Sequence, residues 1–214
     1  WEPKNYDGKY EGPMRMRTAL AKSKNMVSIR LLQSSGVHFV QDYATRFGFE
    51  AEKHPPYLTM ALGAGSVTPW QMVSAYAVFA NGGYRIQPYI VRDIQDDKGN
   101  ILAQAQPIPA GDDTLRVIDP RNAFLMDSML REVTLSGTAA RASVQLKRRD
   151  LAGKTGTTNE HVDAWFCGYQ RTIVGCSWIG FDQPKNLGNG ETGGSAALPM
   201  WIGYMSRALK DVRS

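Results

Sequence analysis

The sequence predicts an α+β domain, and three observations carry that prediction. Apolar residues recur at helical spacing through most of residues 15–80. From Tyr84 the pattern changes to alternation, and the runs within residues 151–181 are strand-like. Helices and strands are segregated along the chain, without the regular strand–helix alternation of a parallel sheet. With 214 residues, 43% of them hydrophobic and 21% charged, the chain can bury a core in one domain or two small ones.

The elements follow in order. After an extended start rich in Tyr and Gly, WEPKNYDGKYEG, a helix is predicted over Arg15–Ser23. Asn25 heads a second apolar-periodic run, MVSIRLLQSSG, that stops at Gly36, and a third helix runs from Val37 to Phe47 before Gly48. HPPYLTMALGAGS reads as loop, because Pro55, Pro56, Gly63 and Gly65 break any period. Ser66 or Thr68 then caps a helix with Pro69 in its first turn, which continues through MVSAYAVFA to Asn81-Gly82-Gly83. The run from Trp70 to Phe79 is core packing rather than a cofactor box.

From Tyr84 the pattern changes. Tyr89–Gln95 and Ile101–Gln104 flank DDKGN, a hairpin signature, and QPIPAGDD is a linker. Asp119-Pro120 opens the helix NAFLMDSMLREV, which stops at Gly137. A short helix over Thr138–Ala142 and a basic turn follow. Leu151–Thr155, Ala164–Tyr169 and Ile173–Phe181 are strand-like, and a Gly-rich loop, GNGETGGS, leads to the closing helix LPMWIGYMSRAL. The implied division is a helical part over 1–83, a hairpin and linker over 84–118, and a helix-plus-sheet part over 119–214.

Charge narrows the function classes. A net charge of +5 is basic without being extreme. The clusters Lys147-Arg148-Arg149 and Arg15/Arg17 carry no interleaved aromatics, so they read as solvated faces rather than a nucleic-acid surface. Cys167 and Cys176 flank a hairpin turn and could face each other across it, but two buried thiols are the expectation. His38, His54 and His161 are scattered, so no metal site and no cofactor is expected. The chain has no signal peptide and no membrane-length apolar run. It begins at Trp1 inside an extended stretch, which suggests a piece of something longer.

The chemistry-bearing stretch is AGKTGTTN, residues 152–159. A phosphate loop, GxxxxGK[ST], would need glycine at position 148, which is Arg148, and a helix after the lysine. Gly156 and two β-branched threonines are a poor helix start. GNGETG at 188–193 is a formal GxGxxG, but QPKN separates it from the nearest strand and no second parallel strand follows. Acyl transfer survives. In a strand-borne Lys-Thr-Gly, Lys154 adds positive charge at a cleft edge and the Thr155 hydroxyl can bond a substrate carboxylate. Gly156 lets a substrate lie against the strand, and the Thr157 N–H can donate to a developing oxyanion.

These segments together resemble the transpeptidase domain of class A penicillin-binding proteins. KTGTTNEHVDAWFCGY resembles the family's third motif. ALAKSKNMVSIRLL resembles the second, Ser-x-Asn, here Ser23-Lys24-Asn25. GAGSVTPWQMVSAYAVFANGG, IDPRNAFLMDSMLREV with its following GTAARA, and GNGETGGSAALPMWIGYM are also similar, in the family's order and across nearly the whole chain. The resemblance implies a penicillin-binding/β-lactamase-like fold, an antiparallel sheet with helices packed on it and incomplete on its N-terminal side. It implies a D,D-transpeptidase that acts on D-Ala-D-Ala stem peptides of peptidoglycan and is acylated by β-lactams. By family role, Ser23 relays a proton to the leaving amine and Asn25 holds the substrate amide carbonyl. Lys154 supports the proton traffic around Ser23. Thr155 and Thr157, beside Gly156, bind the terminal carboxylate. Read alone, Ser23 would end one helix and Asn25 cap the next. Asp163 and Trp165 are expected to be structural, one bonding loop backbone and the other filling space beneath the strand.

The family's first motif, Ser-x-x-Lys, is missing: no serine here has a lysine three residues on, and Ser143/Lys147 and Ser206/Lys210 are spaced by four. Family order places that pair upstream of Trp1. The expected partners are therefore stem peptides, β-lactams and the upstream segment of the same domain. Membrane contact would come only through an N-terminal anchor, placing the domain on the periplasmic side of a bacterial inner membrane. The rival reading is a non-catalytic wall-binding or scaffold module of the same fold.

Overall fold

The structure, a computed structural model, describes residues 2–109 and 111–213. Trp1 of the extended start and Ala110 of the linker lie outside them. Helices α1 (Met16–Ala21), α2 (Asn25–Ser35) and α3 (Val37–Thr45) follow one another closely, and α4 spans Pro69–Ala80. A hairpin of β1 (Asp93–Gln95) and β2 (Ile101–Gln104) separates them from α5 (Pro120–Leu135) and α6 (Ala140–Leu146). Strands β3 (Ala152–Thr157), β4 (Ala164–Gln170) and β5 (Ile173–Ile179) form an antiparallel sheet in the order β3-β4-β5, and α7 (Leu198–Ala208) closes the chain. This is the α+β arrangement that the segregation of periods predicts.

The sheet lies between two helical layers. On one face Ala152 and Tyr169 pack with Leu130 of α5 and Tyr76 of α4. On the other, Phe166 meets Trp201 of α7 edge-on with ring centroids 4.9 Å apart, inside a cluster with Leu151, Leu198 and Met205. A cross-strand row of glycines, Gly153, Gly168 and Gly175, makes that contact possible. A Cβ on Gly153 or Gly168 would lie 2.6 or 2.8 Å from the Phe166 ring, and one on Gly175 would lie 3.3 Å from the Trp201 indole nitrogen.

Local chemistry sets the helix starts. Thr68 caps α4 through a full capping box with Gln71, and Pro69 occupies the first turn. The Asp119 carboxylate accepts the Arg121 N–H at the start of α5.

Several expectations are corrected. Cys167 and Cys176 form a disulfide, because β4–β5 register sets them directly opposite. The stretch read as loop before α4 holds a 3-10 turn at Leu58–Leu62, and another, Ala51–Lys53, directly precedes it. The first hairpin strand, Asp93–Gln95, is shorter than predicted, with Arg92 contributing only a carbonyl that accepts the Ala105 N–H at 2.8 Å. The short helix after Gly137 begins at Ala140, leaving Thr138 outside it. Arg148 does not belong to a solvated face: it pairs with Asp150 at 2.7 Å and donates to the Val212 and Arg213 carbonyls. The Asp163 carboxylate accepts the Trp178 indole N–H at 2.7 Å instead of bonding loop backbone, although the Asp163 backbone does bond Thr158.

Candidate active site

A cleft of about 850 Å³ runs between the α1–α2 turn and the exposed end of β3, with Ser23, Asn25, Thr138, Thr155 and Thr157 among its lining residues. β3 is an edge strand, so the backbone along its outer side has no strand partner.

Ser23 lies just past the end of α1 in a left-handed conformation, φ 56°, which is unfavourable for serine and is held by its surroundings. Its N–H donates to Leu20 O, and the Lys24 N–H donates to Ala19 O. The intervening side chain, Lys24, turns inward and is only 4% exposed. It makes 2.7 Å ion pairs to both Asp7 and Glu11 of the extended N-terminal segment. Hydrogen bonding to Lys24 holds the Asp7 carboxyl below its usual range, and Lys22 together with Lys24 does the same for Glu11. The segment is also fixed through Asn5, whose amide oxygen accepts the Met26 N–H at 3.1 Å. Asn25 does not cap α2: its Nδ2 donates to Lys4 O at 3.0 Å. That bond uses one amide hydrogen and leaves the other free.

Opposite this turn, the Lys154 ammonium donates to Ser23 Oγ at 2.8 Å and to Thr155 O at 3.1 Å. Burial pushes the Lys154 pKa down to about 8, since little water remains to solvate the charge and no carboxylate compensates. At pH 7 about a tenth of such a lysine is neutral, against a few parts in ten thousand at the ordinary value.

The structure thus brings Ser23, Asn25, Lys154, Thr155 and Thr157 to one cleft. For Gly156 it shows a different neighbour from the one the sequence suggested. A Cβ there would point at Trp165 Cβ, 3.2 Å away, so the missing side chain makes room for the cross-strand tryptophan. Thr157 Oγ1 accepts the Gly193 N–H at 3.0 Å. Gly193 must approach closely: a Cβ would lie 2.3 Å from Trp165 O and 2.5 Å from Gly156 O. Sequence reasoning missed the part played here by Thr138, whose hydroxyl lies 2.8 Å from that of Thr155. The only signal for it was its place in the GTAARA segment.

A sheet edge carrying a half-buried lysine against a serine, beside a row of threonine hydroxyls, forms one polar cleft wall. The chain belongs to the penicillin-binding protein transpeptidase family: the domain described as penicillin binding protein transpeptidase domain matches residues 1–197. It is 50% identical over 210 residues to penicillin-binding protein 1A of Neisseria lactamica, covering 98% of this chain and 26% of that protein. It is 41% identical to penicillin-binding protein 1A of Pseudomonas aeruginosa, covering 99% of this chain and 31% of that protein. The chain thus spans between a quarter and a third of the length of these relatives. Its fold superimposes on the crystal structure of penicillin-binding protein 1A from Haemophilus influenzae with a TM-score of 0.93 at 38% identity, over 100% of this chain and 37% of that one. On PonA1 from Mycobacterium tuberculosis the TM-score is 0.80 at 25% identity, over 99% of this chain and 60% of that one.

Proposed function

We propose that this domain forms part of a D,D-transpeptidase that cross-links peptidoglycan by serine acyl transfer at D-Ala-D-Ala and is inhibited by β-lactams. The observation that carries the reading is the 2.8 Å hydrogen bond from Lys154 to Ser23 at the head of a threonine-lined cleft. The family's Ser-x-x-Lys pair, from the upstream segment of the same domain, supplies the nucleophile. Its hydroxyl oxygen attacks the penultimate D-Ala carbonyl as its proton passes to the lysine of that pair, and the developing oxyanion is met by the Thr157 N–H on the free edge of β3. The peptide C–N bond breaks, and the departing D-Ala amine takes a proton relayed through Ser23 and replenished from Lys154. The acceptor amine of a second stem peptide then attacks the ester and gives its proton through Ser23 back to Lys154, while the ester C–O bond breaks and the released serine oxygen recovers its proton from the lysine of the Ser-x-x-Lys pair. Asn25 offers its free amide hydrogen to the donor's amide carbonyl, and Thr155 and Thr157 bind the terminal carboxylate. Gly156 keeps the strand between them low.

Among the described residues no helix is long and apolar enough to cross a membrane. The proposal places the domain on the periplasmic side of the inner membrane, held by an anchor elsewhere in the protein. The test is intact mass after incubation with a fluorescent penicillin, for this chain alone and mixed with the upstream segment. An adduct on the upstream segment only in the mixture supports the reading. An adduct on this chain alone would put the nucleophile among its own serines. No adduct in a folded complex would leave a non-catalytic wall-binding module.

A further inference from the structure

Thr138 carries none of the family roles assigned above, yet the fold goes to some length to place it. Gly137 before it packs so tightly that a Cβ would lie 2.4 Å from Ala21 O and 2.9 Å from Val133 Cα. The Thr138 N–H donates to the same Ala21 carbonyl at 3.0 Å. Ala21 is the last residue of α1, two before Ser23, so the backbone at 137–138 is clamped to the element that carries the Ser-x-Asn turn. The side chain points the other way, exposed in the cleft, with its hydroxyl 2.8 Å from Thr155 Oγ1.

The hydrogen counting matters here. One hydroxyl hydrogen is used between Thr138 and Thr155, and the other is left over. The Lys154 ammonium, 3.4 Å from Thr155 Oγ1, is a further donor toward that oxygen. Thr157 Oγ1 already accepts the Gly193 N–H, so its own hydrogen is also left over. The oxygens of Thr155 and Thr157 thus already accept from protein donors, while the wall keeps surplus hydroxyl hydrogens to present to the cleft. An exposed hydroxyl pair adds little to folding, because water replaces either partner. A ligand rich in acceptors is what the arrangement suits.

We infer that Thr138 is a further ligand-binding residue of this site, its hydroxyl joining those of Thr155 and Thr157 in holding the carboxylate of the donor peptide or of a β-lactam. The inference rests on the transpeptidase reading. It assigns to the turn after α5 a contact that neither the Ser-x-Asn nor the Lys-Thr-Gly motif supplies. It also explains why that turn is bonded both to the serine-bearing helix and to the lysine-bearing strand.

The test compares acylation of the full-length protein by benzylpenicillin and by its methyl ester, in wild type, Thr138→Val and Thr138→Ser. Thr138→Val keeps the shape and removes the hydroxyl. It should slow acylation by the acid about tenfold to a hundredfold, the range for a hydrogen bond to a charged group. With the ester the two proteins should react at nearly equal rates, and Thr138→Ser should match wild type with both ligands. An equal loss with acid and ester, a loss shared by Thr138→Ser, or no loss at all would overturn the inference. A wild type that reacts with neither ligand would instead overturn the transpeptidase reading, and this inference with it.

Discussion

The two walls of the cleft are built by different physics. The Lys154–Thr157 wall is a β-strand fixed by a full antiparallel ladder to β4 and by a close-packed apolar layer beneath it. The Ser23–Asn25 wall is a turn between two helices, held in a left-handed backbone conformation by ion pairs and side-chain hydrogen bonds to residues 4–11. Apolar burial is insensitive to salt and pH, whereas ion pairs to half-exposed carboxylates respond to both. The difference teaches that the lysine side of the site is as rigid as the core. The serine side is only as firm as the extended segment that grips Lys24.

The largest expected effect breaks the strand wall. Phe166 is fully buried between the glycine row and Trp201, so Phe166→Ala should cost about 3–5 kcal/mol, read as a lower denaturation midpoint in urea. A cost near zero would mean that the layer beneath the strand does not hold it.

The next effect has the opposite sign. Lys154 is a half-buried cation whose pKa desolvation depresses to about 8, so the folded state holds its proton less tightly than the unfolded chain. The penalty is complete below pH 8 and is relieved between about 8 and the ordinary value of 10.5, where stability should rise with pH. Lys154→Met should therefore stabilise the fold at pH 7 by about 3 kcal/mol, with the gain vanishing above pH 10.5. Chemical denaturation of both proteins across that range measures it, and a pH-independent difference would count against a buried charge.

The smallest effect is local and sharpens the contrast. Lys24→Met, or salt at about 1 M where the Debye length is about 3 Å, should loosen residues 5–11. Their amide hydrogen exchange should quicken about tenfold while the amides of β3 are unchanged. Acid should act likewise. Asp7 and Glu11 have depressed pKa values in the fold, so their contribution is complete above the usual carboxylate range and is lost as pH falls through their lowered values. Uniform acceleration across both walls would erase the distinction.

Legibility follows the same division. β3, β4 and β5 could be read to within two residues at either end as short strand-like runs bounded by turn residues, although β4 is buried on both faces and shows no alternation. Helices α4 and α5 announced their starts through Thr68-Pro69 and Asp119-Pro120, whereas α2 begins at Asn25 without a side-chain cap. Two near misses had a common cause. Arg148 looked solvated and turned inward to Asp150, and Cys167 looked like a thiol and met Cys176. In each case the partner was fixed by a turn or a register, which composition does not report.

What the sequence by itself determined was the α+β class, the order of the elements and the residue types of the two motifs. Periodicity, capping and turn chemistry act over a few residues and are written locally. Only the tertiary structure decided that Lys154 reaches Ser23 across 131 positions of chain, that Gly156 yields to Trp165, and that Thr138 faces Thr155. Those contacts depend on how closely the turn after α5 approaches α1 and on how the edge strand lies beside both. That closeness is set by packing among many distant side chains, which no short stretch of sequence records.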